Sequence, residues 1–132
     1  MERKKFVVKR SEWLRGGRNG KGVAASSTLR DDDGHMCCLG FAGQQLCDIN
    51  PIRLRNVATP GGTYAEDERA FIRGMPGLFS GETMSRIMRT NDNDLDIPES
   101  VHGRPQAEVD AWREAKLKEL FNEIEIDVEF ID

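Results

Sequence analysis

A histidine and two cysteines stand within four positions of one another, at His35, Cys37 and Cys38. If Cys37 or Cys38 opens a helix, unpaired backbone amides and the helix dipole favour its thiolate. His35 is then the nearest base, with His102 as the other histidine of the chain, and the chemistry such a set performs is that of a Cys–His hydrolase. Asp31, Asp32 and Asp33 lie just upstream, where they can orient the base or simply close a turn at Gly34. The neighbours Met36, Leu39 and Phe41 point the other way, to a packing helix in which the thiols are structural.

A second candidate site is the run Arg15 to Gly22, which holds four glycines and the cations Arg15, Arg18 and Lys21. Backbone amides of such a loop, with those three side chains, can cradle a small anion. The run is not a P-loop, because Gly20-Lys21 is followed by Gly22 and the position five before Gly20 is Arg15. A solvated loop is the alternative. Asp92-Asn93-Asp94-Leu95-Asp96 begins like a calcium loop, but Ile97 and Gly103 occupy the places of the required glycine and glutamate. His35, Cys37, Cys38 and Cys47 are soft ligands without a CxxC pair, and one helix cannot aim them all at a tetrahedral ion. No metal and no cofactor is therefore expected.

These residues need elements to position them. Lys4 to Arg10 has a β-prone centre at Phe6-Val7-Val8, and Ser11 can cap a short turn carrying Trp13 and Leu14. Ser26 to Arg30 suits a second short strand. Residues 37–47 are apolar around most of a helical circumference, and Gly40 and Gly43, three apart, allow another element to approach closely. Asn50-Pro51 suits the start of a short helix, and Thr59 to Thr63 is a break. Residues 64–79 are weakly patterned and expected to be mostly irregular. Ser80 can cap a helix over 81–90 with Met84, Ile87 and Met88 inward. Residues 91–105 are expected to form a long loop.

Pro105 opens the best helical pattern, 106–122, with Val109, Trp112, the Lys116 stem, Leu120 and Phe121 as its inner stripe. From Ile124 to Phe130 apolar and acidic residues alternate strictly, as in a half-buried strand. Beside Lys4–Arg10, its Glu125, Asp127 and Glu129 can face Lys5 and Lys9, each pair contributing about 0.2–1 kcal/mol.

The 132 residues are 38% hydrophobic and 32% charged, which suits one modest core. No apolar run approaches the roughly 18 residues of a membrane helix, and the start lacks the apolar stretch of a secretory signal. The net charge of −4 conceals a gradient: residues 1–30 sum to +7, residues 31–90 to −2 and residues 91–132 to −9. A basic nucleic-acid-binding arm is one explanation. Mutual neutralisation is the other, favoured because the two ends look like pairable strands, and the pI of about 5.3 argues against strong unspecific nucleic-acid binding. An odd number of cysteines, Cys37, Cys38 and Cys47, without a signal suggests free thiols in a reducing cytoplasm.

Trp13-Leu14-Arg15-Gly16, Leu29 and Met36-Cys37-Cys38-Leu39-Gly40-Phe41 together resemble a widespread set of small phage and prophage proteins. Those carry a Trp-x-x-Gly-type element and a Cys-Cys-Leu-Gly helix start, and often end in an amphipathic helix and a hydrophobic strand, as residues 106–131 do here. The resemblance implies a phage-like setting and an accessory role, and no reaction or catalytic residue.

The expectation is thus a single α+β domain spanning 1–132, with mobile loops near 15–22 and 91–105. A small, mainly antiparallel sheet would contain both terminal strands, with two or three helices packed on it. Trp13, Leu39, Phe41, Leu46, Ile87, Trp112, Leu120, Phe121, Ile126 and Val128 should form the core. The expected function is non-enzymatic binding of a host protein, blocking a defence or metabolic activity. The alternatives are a small-anion binder or Cys-dependent enzyme, and a nucleic-acid binder.

Overall fold

The computed structural model describes residues 3–16, 28–31, 33–93 and 96–132. Strand β1 (Lys4–Lys9) is followed by helices α1 (Cys38–Leu46), α2 (Ala65–Gly74), α3 (Thr83–Asp92) and α4 (Gln106–Asn122), and the chain closes with strand β2 (Ile126–Ile131). The fold is α+β, with four helices among the described residues rather than two or three.

The terminal strands do pair, but they run parallel: Lys4 faces Ile126, Phe6 faces Val128 and Val8 faces Phe130. The antiparallel expectation failed because period-two alternation identifies the buried face and reads the same in either direction. Direction is set outside the strands. The chain leaves α4, turns through Glu123–Glu125 with Glu125 at φ 62°, and folds back as β2. Everything between β1 and β2 serves as the crossover that a parallel pair requires.

Inward, Phe6 meets Phe121 edge to face with centroids 5.0 Å apart, and Trp13 packs on Phe130 at 4.8 Å. Outward, Lys5 pairs with Glu129 at 2.7 Å, while Asp127 is taken by Arg3 rather than Lys9. Beside β1, the Gln45 amide of α1 imitates a further strand. It accepts from the Val7 N–H at 2.8 Å and donates to the Val7 carbonyl at 2.7 Å, blunting an open sheet edge.

Helix α1 forms where expected, and its two glycines do allow close approach. A Cβ on Gly40 would lie 1.9 Å from the Leu29 carbonyl oxygen, and one on Gly43 would lie 2.7 Å from the Phe71 ring of α2. Asn50 caps a short 3-10 turn over Pro51–Leu54 by accepting from the Ile52 N–H. Leu29 and Arg30 are tied to the following segment by hydrogen bonds to Val57 and from Asn56. The isolated bridge Arg30–Arg55 is what the described part of the 26–30 strand becomes; residues 26 and 27 lie outside the described residues.

Helix α2 overturns the expectation of irregular structure over 64–79. Its apolar stripe is faint because Phe71 is its only large buried hydrophobe, but Glu66, Asp67 and Glu68 open the helix and Arg73 closes it, matching the dipole. Helix α3 begins at Thr83, after Glu82, so Ser80 is not its cap.

Helix α4 has the expected bounds, but its inner stripe is rotated. Arg113 and Leu117 are fully buried, while Trp112 and Lys116 are half-buried. Leu46 is also half-buried; the other expected core residues are buried. Arg113 displaces Trp112 because its guanidinium serves the end of α3. It donates to the Thr90 carbonyl at 2.9 Å and the Asn93 carbonyl at 3.4 Å, and it pairs with Asp110 at 2.8 Å. A cation on the carbonyl end of a helix satisfies both its orphan acceptors and its dipole.

Candidate functional site

Cys37 sits at the N-cap of α1, and Cys38 is its first residue, as the dipole argument requires. Backbone amides of Leu39 and Gly40 do favour the Cys37 thiolate, but burial and the nearby Asp92 charge prevail and push the thiol up to about 12. Burial also raises Cys38 well above its ordinary value, with Cys37 and Asp92 adding to it. Cys47 is half-buried and raised to about 11 by burial, with Lys4 opposing. The helix-start effect is thus present but smaller than the desolvation it has to offset. Under native conditions at pH 8 a thiol reagent should modify at most one cysteine, Cys47, with all three reacting after denaturation. Fast reaction of two or three thiols in the folded protein would show that the α1 start is open.

Arg15 points inward. Its Nε donates to Asp110 at 3.2 Å, its terminal nitrogen donates to the Arg10 and Trp13 carbonyls, and its guanidinium lies 4.8 Å from the Trp13 ring centroid. Arg18 and Lys21 lie outside the described residues. The basic N-terminal and acidic C-terminal thirds meet face to face: Arg3 with Asp127, Lys5 with Glu129, Arg10 with Glu114 and Asp132, and Arg15 with Asp110. The doubly hydrogen-bonded Glu114 raises Arg10, and Lys5 lowers Glu129 through a direct hydrogen bond. The charge gradient along the sequence becomes local neutralisation in the fold.

At the start of the would-be calcium loop, Asp92 accepts from the Asn91 side chain, and Asp96 pairs with Arg89 at 2.7 Å. Among the described residues, the groups whose ligand atoms converge as a metal would require are Asp31, Asp33 and His35, all within 4.8 Å of one another.

A third feature was not anticipated. Ile52 and Tyr64, the chain's single tyrosine, are 66% and 74% exposed and line one pocket of about 420 Å³. Arg53, Arg55, Val57, Gly62 and Thr63 complete its wall. The pocket exists because two short 3-10 turns, Pro51–Leu54 and Pro60–Gly62, bring the residues before α2 together. The Arg53 guanidinium lies 5.7 Å from the Tyr64 ring centroid and pairs with the buried Asp67 at 2.9 Å, so α2 fixes the guanidinium beside the ring. Arg53 also lines a neighbouring pocket of about 410 Å³ that reaches Cys47 and Arg73. The one sequence signal was a lone tyrosine after the Thr59–Thr63 break, in a stretch to which no motif drew attention. No helix among the described residues is long and apolar enough to cross a membrane. Comparison with protein-family models, with curated proteins and with solved structures returned no match to this chain.

Proposed function

We propose that the protein acts by binding a partner protein at the Ile52–Tyr64 pocket, in the manner of a phage accessory protein that occupies a host protein. The observation that carries this is the pairing of two large exposed hydrophobes on one pocket whose wall holds two arginines. Tyrosine and arginine are enriched among the residues that carry the binding energy of protein interfaces. The partner that fits offers an apolar side chain to the pocket. The host setting comes from the resemblance of the Trp13–Gly16 and Met36–Phe41 segments to small phage proteins. Against a Cys-dependent reaction stand the buried, raised thiols of Cys37 and Cys38.

The test is affinity capture from host lysate with the wild type and with an Ile52→Glu, Tyr64→Ala double variant. Both side chains are exposed, so the double variant should melt close to the wild type. The expected result is a discrete partner captured by the wild type and lost by the variant. Recovery of the same proteins by both, or of none by the wild type, would overturn the proposal.

A further inference from the structure

We propose that Asp31, Asp33 and His35 form a binding site for a divalent transition-metal ion, with zinc as the best fit. The residues are spaced i, i+2, i+4 around a turn that Gly34 makes possible at φ 88°. Asp31 Oδ1 accepts the N–H groups of Asp33 at 2.9 Å and His35 at 2.8 Å. The turn is thereby wound around one oxygen of the carboxylate, while the other, Oδ2, stands 3.5 Å from His35 Nδ1.

That separation discriminates between geometries. Two ligands at about 2.1 Å from a tetrahedral ion are about 3.4 Å apart, whereas octahedral neighbours at the same bond length are about 3.0 Å apart. The Asp31–His35 pair therefore already spans the edge of a tetrahedron. Asp33 is exposed, with a carboxylate oxygen within 4.8 Å of the other two ligand atoms, and it would supply the third corner by a change of rotamer. The fourth corner would be water.

An independent observation points to an absent ligand at the same place. Among the described residues His35 Nδ1 is shut off from solvent and has no hydrogen-bond partner, the Asp31 carboxylate at 3.5 Å being too distant for one. Such atoms are rare, and each costs about 1–3 kcal/mol unless something satisfies it. The other orphaned side-chain atoms among the described residues, Thr28 Oγ1 and Arg30 Nε, belong to the limb that leads into the same turn. A metal ion provides the partner that Nδ1 lacks. One imidazole with two carboxylates suits zinc, cobalt or nickel and is a poor set for magnesium or calcium, which prefer oxygen alone. The Arg30 guanidinium rests against Gly34 and opposes the ion's charge, so binding should be reversible and not a condition for folding.

The experiment is equilibrium dialysis of the metal-stripped full chain against Zn²⁺, with Co²⁺ as a spectroscopic probe. It is run on the wild type, Asp33→Asn and His35→Gln, with thermal melts to verify folding. The expected result is one equivalent of zinc, a melting temperature that rises with zinc, and the visible absorption of tetrahedral Co²⁺ without thiolate charge transfer. Asp33→Asn, at an exposed position, should weaken binding at least tenfold while folding normally. His35→Gln should abolish stoichiometric binding. Failure of the wild type to hold zinc would overturn the proposal. So would unchanged binding in both variants, or loss of binding on thiol alkylation, which would place the ion at the cysteines.

Discussion

Gly40→Ala should destabilise the protein by about 3 kcal/mol or more, although in an exposed helix the same change would stabilise by about 1 kcal/mol. The sign is decided by what the new methyl meets. It would sit 1.9 Å from the Leu29 carbonyl oxygen and 2.9 Å from the Met36 Cβ, and neither can swing aside as a long side chain can. The Leu29 backbone is held in turn by its N–H bond to the Val57 carbonyl at 2.8 Å, so relief requires separating α1 from the 28–31 segment. A loss of that size is a large share of the roughly 5–15 kcal/mol that keeps a domain folded. Gly43→Ala is the internal control. Its methyl would crowd the Phe71 ring, at 2.7 Å, which can shift, and touch Leu54 at an ordinary 3.6 Å, so a smaller loss is expected. Urea unfolding of the three proteins measures this. A Gly40→Ala protein as stable as the wild type would mean that α1 and the Leu29 backbone are not in contact.

What the residues revealed in advance depended on whether one element was enough to specify the feature. Helix α4 and strand β2 were legible because their patterns run over many residues, although the strand starts only at Ile126, Ile124 and Glu125 being taken by the turn after α4. The closeness of α1 to its neighbours was legible from Gly40 and Gly43. The parallel direction of β1 and β2 was not, since alternation carries no direction. Helix α2 was hidden because its face contributes little apolar area beyond Phe71. The inner stripe of α4 was misjudged by hydrophobicity, which ranks Trp112 above Arg113. Burial of Arg113 is decided by the carbonyls of Thr90 and Asn93, which belong to a different helix.

The same distinction applies to the candidate sites. Spacing correctly placed Cys37 and Cys38 at a helix start, but their desolvation is a property of the assembled core. Arg15 read as a free cation until the fold supplied Asp110. Asp31 and Asp33 were recognised as turn residues, and their approach to His35 needed the turn's actual winding. The Ile52–Tyr64 pocket joins residues on either side of a break, and periodicity cannot register such a pairing.

Asn91→Leu is the second substitution with a large expected cost, about 4 kcal/mol, because it orphans several buried polar groups at once. Asn91 is 1% exposed, and every hydrogen-bonding position of its side chain is used. Oδ1 accepts from the Trp13 indole N–H at 2.7 Å and from the Cys38 N–H at 3.1 Å. Nδ2 donates to the Leu14 carbonyl at 2.9 Å and to the Asp92 carboxylate at 2.8 Å. One side chain of α3 thus satisfies an otherwise orphan amide of α1 and fixes the chain leaving β1, while Arg113 of α4 closes the same C-terminal end of α3. The two interactions lock three helices in series, and breaking the first strands the Trp13 indole, the Cys38 amide and the Leu14 carbonyl in the core. Asn91→Asp separates the two halves of the role. It keeps both acceptor functions and replaces both donors by a carboxylate facing the Leu14 oxygen and Asp92. Its penalty should therefore shrink as pH falls and the introduced acid gains a proton. Asp92 titrates in the same sense: burial raises its folded pKa, so its ionisation opposes folding above the ordinary carboxylate range and ceases to do so below it. Urea midpoints at pH 5 and pH 8 measure both effects. An Asn91→Leu protein within 1 kcal/mol of the wild type, or an Asn91→Asp deficit that grows toward low pH, would refute the assignment of Asn91 as the junction between α1, α3 and the Trp13 segment.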